Sequence, residues 1–379
     1  MLKAGEITKH LSEAIGPRYA GSEGEKKAAE YIADQMETLG LEVSTQEFKF
    51  IGWEVDRHPS LTMLTPEKKT MDVGLFMYSD STPEGGVTGK LEYVGTMYIA
   101  TGFFEWPKYA VVDDDGNHLA YIVAHVDGPA NNFVLYDLGH NYGCAPYVVI
   151  AKEDHEYFNE QLAKGAEITV TVDIAGHIAP GKVSRNVIGT LKGSALPDEE
   201  IVVCGHYDSS PDSPGACDNA SGVDAMLLVA QKMIDAGVKK TIRFIAFGAE
   251  ENVSYGSNYF VSTLKERGEL ARVKNVINLD MVGQGETLMT TVSPASFQQQ
   301  VQAAFAETIE GEFDIAWGDR QFQVSDHYPF HMEGIPSVML LFWPYDYYHQ
   351  STDTYDKVDP DRIAKTAKAA ESIARALTL

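Results

Sequence analysis

In "FIAFGAEENVSYGS" (residues 244–257) an apolar run ends in two adjacent carboxylates, Glu250 and Glu251. Neighbouring side chains diverge, so such a pair suits one acid that holds a cation and another that moves a proton. Two solvated loop acids are the plain alternative. The pattern recurs along the chain: "EIVVCG" runs into His206 and Asp208, "VKNVINL" into Asp280, and "IPSVMLLFWPYDYY" into His349. Asp218 sits in "SSPDSPGACDNASG", just before a helix start. In open α/β sheets, sites form beyond the carboxyl ends of the strands. If these runs are strands of one sheet, two imidazoles and three acids of metal-binding type meet at one rim, with two further carboxylates beside them.

Each motif alone is weak, because His-x-Asp and Glu-Glu are common and a lone His is usually structural. Together they resist the bland reading. Carboxylates packed that closely repel, raise one another's pKa and destabilise the fold unless cations neutralise them. Imidazole with carboxylate suits zinc, with manganese or cobalt as substitutes, whereas an all-oxygen cage would suit calcium or magnesium. Two histidines and three acids exceed what one tetrahedral catalytic zinc takes. They fit two ions about 3.5–4 Å apart that share a bridging carboxylate, with one imidazole for each.

The elements that must position these groups are legible from periodicity. Ser22-x-x-Glu25 opens the helix "EGEKKAAEYIADQMETLG", and "LEVSTQEFKF" alternates as a strand. From Val183 onward strands alternate with helices: "SRNVIGTLKG", "EIVVCG", "KKTIRFIAFG", "VKNVINLD" and "IPSVMLLF" against "ASGVDAMLLVAQKMIDAG", "GSNYFVSTLKERG", "SFQQQVQAAFAETIEG" and "DRIAKTAKAAESIARAL". This rhythm predicts an α/β fold with a mostly parallel, twisted central sheet and helices on both faces. Residues 56–172 instead show short β-like runs around Gly-, Asp- and Asn-rich turns, with one helix at "EDHEYFNEQLAKG". The expected organisation is a discontinuous catalytic domain, 1–55 and 173–379, carrying a β-rich inserted module, 56–172.

Composition narrows the partners. A formal net charge of −25, from 55 acids against 30 bases, argues against nucleic acid and anionic membrane, both of which need basic surface. No apolar run approaches a membrane span, and the start lacks the apolar core of a signal peptide, so the expectation is a soluble, cytoplasmic protein. Cys144, Cys204 and Cys217 are too few and too scattered for a disulfide framework or a zinc clip.

The segments "GHYDS", "ACDNASGVDAML", "FGAEENVSYGS", "NLDMVG", "SDHYPFHMEGIPSVML" and "YHQSTDTYDKVD", with "GPRYAGSEGEKKAAEYI" near the start, resemble the co-catalytic dizinc aminopeptidase superfamily. That superfamily takes in bacterial leucine aminopeptidases, aminopeptidase Y, glutamate carboxypeptidase and glutaminyl cyclase. The resemblance implies the zinc-exopeptidase fold and two zinc ions: His206 and Asp280 on one, Glu251 and His349 on the other, and Asp218 bridging. It further implies Glu250 as general base and acid toward a hydroxide bridging the ions, Asp208 as the partner orienting His206, and Tyr348 as a helper to the oxyanion. The stretch "APYVVIAKEDHEYFNEQLAKGAEITVTVDI" resembles a protease-associated module, without that module's earlier Cys-containing signature, and suggests a lid or wall.

The implied activity is removal of N-terminal residues from peptides with a free α-amine, which suits an acidic site. A carboxypeptidase or dipeptidase of the same superfamily is the alternative, and for acidic C-termini it would need an arginine cluster of which the sequence offers only Arg320. A glutaminyl-cyclase-like acyl transferase would need one zinc, against a full set for two. A non-catalytic receptor-like relative should lack ligands or base. Ser325, Asp326 and His327 read as pocket scaffolding. His58, His118, His125, His140, His155, His177 and His331 read as surface or structural, and Phe342, Trp343, Tyr345 and Tyr347 as core or pocket lining.

Overall fold

The computed structural model describes residues 2–99, 104–134, 145–318 and 325–378. Cys144, His140 and Arg320 lie outside the described residues. The chain divides into two compact units, Met1–Phe50 with Val183–Leu379, and Ile51–Lys182.

In the first unit, strands follow one another in the order Asp314–Gly318, Thr287–Ser293, Ser337–Trp343, Val273–Leu279, Leu196–His206, Lys240–Phe247 and the end of Thr169–Leu191. The four in the middle are parallel, with Ile201 opposite Ile242 and Asn275, and Val276 opposite Ser337. Antiparallel strands flank them, through Ile245 opposite Ile188 and Thr290 opposite Leu340. Strand side chains alternate between faces, and the core divides accordingly. Val203, Phe244 and Ile277 pack in a cluster with Met226 and Val229 of the helix Gly222–Ala236 and Ile363 and Ile373 of the helix Pro360–Thr378. Val202, Ile245 and Val276 pack in a separate cluster with Phe260 and Leu264 of the helix Tyr255–Glu266 and with Phe330. Each fully buried Val, Leu, Ile or Phe contributes about 1.5–3 kcal/mol. The inner stretches Ile201–Cys204, Phe244–Phe247 and Val338–Phe342 therefore read as apolar runs, and polar residues gather where those stretches end.

The helix Glu23–Leu39 starts as its capping box demands, with Ser22 Oγ accepting from the Glu25 N–H at 3.1 Å. The Glu25 carboxylate reaches one residue further back than a capping box requires, accepting from the Gly21 N–H at 2.6 Å. Two strands escape the sequence pattern, Thr287–Ser293 and Asp314–Gly318. The first reads as polar because its core carries Thr290 and Thr291, which nonetheless are buried. A helical entry at Glu6–Lys9 and His10–Ile15 is also unannounced. It is fixed from a distance by Asp224, whose Oδ2 accepts from the Gly5 and Thr8 N–H groups and the Thr8 hydroxyl.

The second unit is β-rich, with one helix among the described residues, Lys152–Ala163. Antiparallel pairing joins Val87–Ile99 to Phe104–Val112 and the latter to His118–Ala124. Trp53, Trp106, Tyr109, Phe133 and Phe158 are buried within it. Among the described residues no helix is long and apolar enough to cross a membrane.

Candidate metal centre

All the chemically suggestive residues lie in the first unit, where the parallel strands end. His206 closes the strand Leu196–His206, and Asp280 directly follows Val273–Leu279. Glu250 and Glu251 come three and four residues after the end of Lys240–Phe247, and His349 lies in the turn beyond Ser337–Trp343. Asp218 sits in the turn Ala216–Ser221, whose backbone leaves helical values at Asp218 (φ −107°, ψ 93°) and Asn219 (φ −133°, ψ 42°). The order of strands thus converts positions spread over 144 residues into one cluster (from His206 to His349, counted inclusively).

Two groups of donors form. One atom each of His206, Asp218 and Asp280 lie within 4.8 Å of one another, and so do atoms of Asp218, Glu251 and His349. His206 Nε2 is 3.2 Å from Asp218 Oδ1 and 3.4 Å from Asp280 Oδ1. His349 Nε2 is 3.3 Å from Asp218 Oδ2 and 2.9 Å from Glu251 Oε2. Asp218 therefore offers one carboxylate oxygen to each group. All five residues are buried.

The donor set fits cations. His206 Nδ1 lies 3.2 Å from the Asp208 carbonyl, which only accepts, so Nδ1 carries a proton and Nε2 faces the acids. Asp280 Oδ1 and Glu251 Oε1 are buried without a hydrogen-bond partner among the described residues. Buried carboxylate oxygens left without donors are costly, and divalent ions are what such oxygens and imidazole nitrogens bind. Protons otherwise take that place. Burial alone would lower the His206 pKa, yet Asp280 and Glu250 with the bonds to Asp208 and Asp218 raise it well above an ordinary imidazole. Burial would likewise lower His349, and Glu251 and Asp218 raise it well above. Burial works to raise Asp218, but its bonds to the two imidazoles win and its pKa falls.

Glu250 stands apart from the two groups. Its Oε2 is 3.9 Å from His206 Nε2, and its Oε1 accepts from the Ser254 hydroxyl at 3.0 Å. Burial, then the charges of Asp326, Asp280 and Glu251, push its pKa well up against the opposing pull of His206.

The profile of peptidase family M28 matches residues 186–374. Aminopeptidase YwaD of Bacillus subtilis (strain 168) is 30% identical over 391 residues, spanning 93% of this chain and 79% of that protein. This chain belongs to peptidase family M28. Carboxypeptidase Q of Mus musculus is 24% identical over 278 residues, 66% of this chain and 59% of that protein. Among solved structures, BSAP, a zinc aminopeptidase from Bacillus subtilis, aligns with a TM-score of 0.72 at 26% identity, over 99% of this chain and 94% of that one.

Several supports of the peptidase's cluster rest on contacts that the sequence alone does not display. The Asp208 carboxylate, expected to orient His206, stands 3.5 Å from its Nδ1 and spends its oxygens on the N–H groups of Glu250 (3.0 Å) and Glu251 (3.1 Å). Asp353 accepts from the N–H groups of Cys217 (2.8 Å) and Asp218 (3.0 Å) and from the Tyr345 hydroxyl (2.7 Å). Its place in "YHQSTDTYDKVD" was the available signal. Ser325, read as scaffolding, donates to Asp280 Oδ2 at 2.6 Å and accepts from Asn278 Nδ2 at 2.7 Å. Asp326 is buried beside the cluster, its pKa pushed up to about 7 by burial and the nearby acids Asp280 and Asp208, against His206. The Tyr348 ring stacks on His349, centroids 3.7 Å apart, and meets Trp343 edge-on at 5.4 Å.

Backbone strain gathers here too. Ala249 (φ 56°), Met281 (φ 51°), Ser325 (φ 79°) and His349 (φ 58°) all adopt the left-handed region although none is glycine. Such residues cost on the order of 1–3 kcal/mol each and persist where surrounding contacts over-determine them. Each is itself one of the site residues named above or adjoins one.

Proposed function

We propose that this peptidase is an aminopeptidase that works with two zinc ions, one held by His206, Asp218 and Asp280 and the other by Asp218, Glu251 and His349. The observation that carries this reading is the pair of three-donor groups sharing Asp218. Aminopeptidase relatives and the zinc named for BSAP support it. Bound there, the ions supply Lewis acidity, polarising a peptide carbonyl and lowering the pKa of water.

The chain's own residues do the remaining work. Glu250 accepts the proton of the attacking water and returns it to the leaving amine, a role that suits a carboxylate beside, but outside, both donor groups. Ser254 fixes one oxygen of that carboxylate, so the other stays oriented toward the cluster. Asp208 holds the backbone of Glu250 and Glu251 and thereby sets the spacing between proton carrier and ligand. Tyr348, stacked on His349, limits the ring's freedom to turn. Acids crowded at the site favour a substrate that presents an α-ammonium group. A carboxypeptidase would call for an exposed cation. Among the described residues, Arg18 feels these acids, and it is fully buried and bonded to carbonyl groups.

The deciding experiment compares aminoacyl-chromophore substrates with N-blocked peptides, with added zinc and with chelator. Cleavage confined to unblocked substrates and abolished by chelation is expected. Cleavage of N-blocked peptides from the carboxyl end would overturn the assignment.

A further inference from the structure

Arg18 lies in the entry segment "GPRYAGSEG", far in sequence from every site residue, and has no exposed surface. A buried guanidinium ordinarily meets a carboxylate, but this one forms no ion pair among the described residues. Among the described residues, all its side-chain bonds run to main-chain carbonyls. Nε donates to Tyr207 O at 2.8 Å, Nη2 to Gly215 O at 2.9 Å, and Nη1 to Pro214 O (2.5 Å), Gly16 O (3.0 Å) and Leu11 O (3.1 Å). The backbone is stitched as well: Arg18 N–H donates to Ser209 Oγ at 2.9 Å, and Ser209 N–H to Arg18 O at 3.3 Å.

Three of these five acceptors bracket one segment. Tyr207 lies between His206 and Asp208, and Pro214 and Gly215 come just before the turn that holds Asp218. Gly215 has φ +57°, and a Cβ there would stand 2.8 Å from Arg18 Nη2 and 2.5 Å from Asp218 O, so the segment leaves room for the guanidinium. Burial pulls the Arg18 pKa down to about 10, against Asp353, Asp208, Asp218 and Glu251, which keeps the group charged at neutral pH. A planar fork with five N–H donors can hold both ends of such a loop at once, which a lysine ammonium cannot.

We propose that Arg18 is a positioning residue that sets the His206-to-Asp218 segment in its cation-binding geometry before any cation arrives. The inference rests on the two-zinc reading and adds to it a source of preorganisation supplied by the protein. Its field acts in the opposite sense to its clamp, since a buried positive charge repels the ions that the clamp prepares for. Arg18→Lys separates the two effects by keeping the charge and losing the fork. Arg18→Gln removes both, so it should bind zinc more tightly than Arg18→Lys.

The test measures zinc dissociation constants by competition with a chromophoric chelator, and thermal midpoints with and without zinc, for the wild type and Arg18→Lys. We expect two ions on the wild type, and on a folded Arg18→Lys at least a tenfold weaker affinity, about 1.4 kcal/mol. The thermal midpoint should then fall further with zinc than without it. A variant whose midpoints fall equally in both conditions, with unchanged zinc affinity, makes Arg18 a staple of the fold and overturns the proposal. If Arg18→Lys does not fold, Ser209→Ala takes its place, because it removes the bond to the Arg18 N–H; about threefold weaker zinc binding supports the proposal and unchanged binding refutes it. A wild type that binds fewer than two ions overturns the two-zinc reading itself, independently of how the variants compare.

Discussion

Replacing Asp208 by Asn separates two roles that this residue could play. Asp208 is fully buried, and each carboxylate oxygen takes one backbone N–H, from Glu250 and from Glu251. Asn is the same size but has one acceptor oxygen, so one of the two N–H groups must face an amide NH2. A hydrogen bond to a charged acceptor contributes about 1.5–3 kcal/mol and a neutral one about 0.5–1.5, while a buried donor left without a partner costs about 1–3 kcal/mol. Losing the charge relieves repulsion felt by Glu25 and Asp326 and removes attraction felt by Arg18, so electrostatic gains and losses oppose each other. The hydrogen-bond terms decide the sign, and Asp208→Asn should destabilise the metal-free protein by about 2–4 kcal/mol.

The assay is urea unfolding in excess chelator, followed by the same titration with zinc, and turnover on an unblocked aminoacyl substrate. Because the Glu250–Glu251 backbone is released, turnover should drop by about 10²-fold or more, the scale of an ångström-sized misplacement. A metal-free stability within about 0.5 kcal/mol of the wild type, with only zinc affinity reduced, would refute the reasoning. That result would mean that the carboxylate acts mainly on the His206 ring, 3.5 Å away, as the sequence first suggested.

Glu250→Gln should leave both ions bound and lower kcat by about 10²–10⁴-fold, checked by metal analysis and steady-state kinetics on one preparation. Asp218→Ala removes the oxygens that face both imidazoles, so metal analysis should show both ions lost together; two retained ions would exclude a bridge. Glu25 gives a pH signature: burial and the charge of Asp208 raise its pKa from 4.5 to about 8, despite the Ser184 bond. Between those values the folded chain holds a proton that the unfolded chain has released, so metal-free stability should fall as pH rises, by up to about 1.4 kcal/mol per unit, and level off above the folded value. Glu25→Gln should flatten that slope in urea midpoints measured across the same range. Gly248→Ala should destabilise by about 1–3 kcal/mol, because its methyl would meet Ser184 Oγ at 2.4 Å, Arg185 O at 2.7 Å and Glu25 Oε1 at 2.9 Å.

The parts of the site that the sequence displays are those set by strand ends. A buried parallel strand is mostly apolar in its inner stretch, so the polar residue that closes "EIVVCG" marks the sheet's carboxyl edge at His206, and Asp280 follows the last apolar residue of "VKNVINL" even though that strand also carries the buried Asn278. Glu250, Glu251 and His349 follow by the same logic. The strand Thr287–Ser293 escaped because buried threonines look polar in composition while packing as β-branched residues. Asp353 escaped, and so did the particular contact of Ser325, because their partners are fixed only by the closed fold: backbone N–H groups of Cys217 and Asp218 for one, the Asp280 carboxylate for the other.

Arg18 shows where sequence reading reaches its limit. An arginine in a Gly- and Ser-containing entry segment is the most ordinary of surface residues, and nothing in its spacing separates it from the other cations of an acidic chain. Its significance comes from carbonyl groups, which carry no side-chain signature at all. The ligands of a cation site declare themselves through residue type, because soft and hard donors are few. The framework that holds those ligands apart before a cation arrives is built from main-chain atoms, available at every position and chosen only by topology. A cluster of acids can therefore be read from a sequence well before the group that keeps it from collapsing or flying apart can be. In this chain that group sits nearly two hundred residues upstream of the segment it holds.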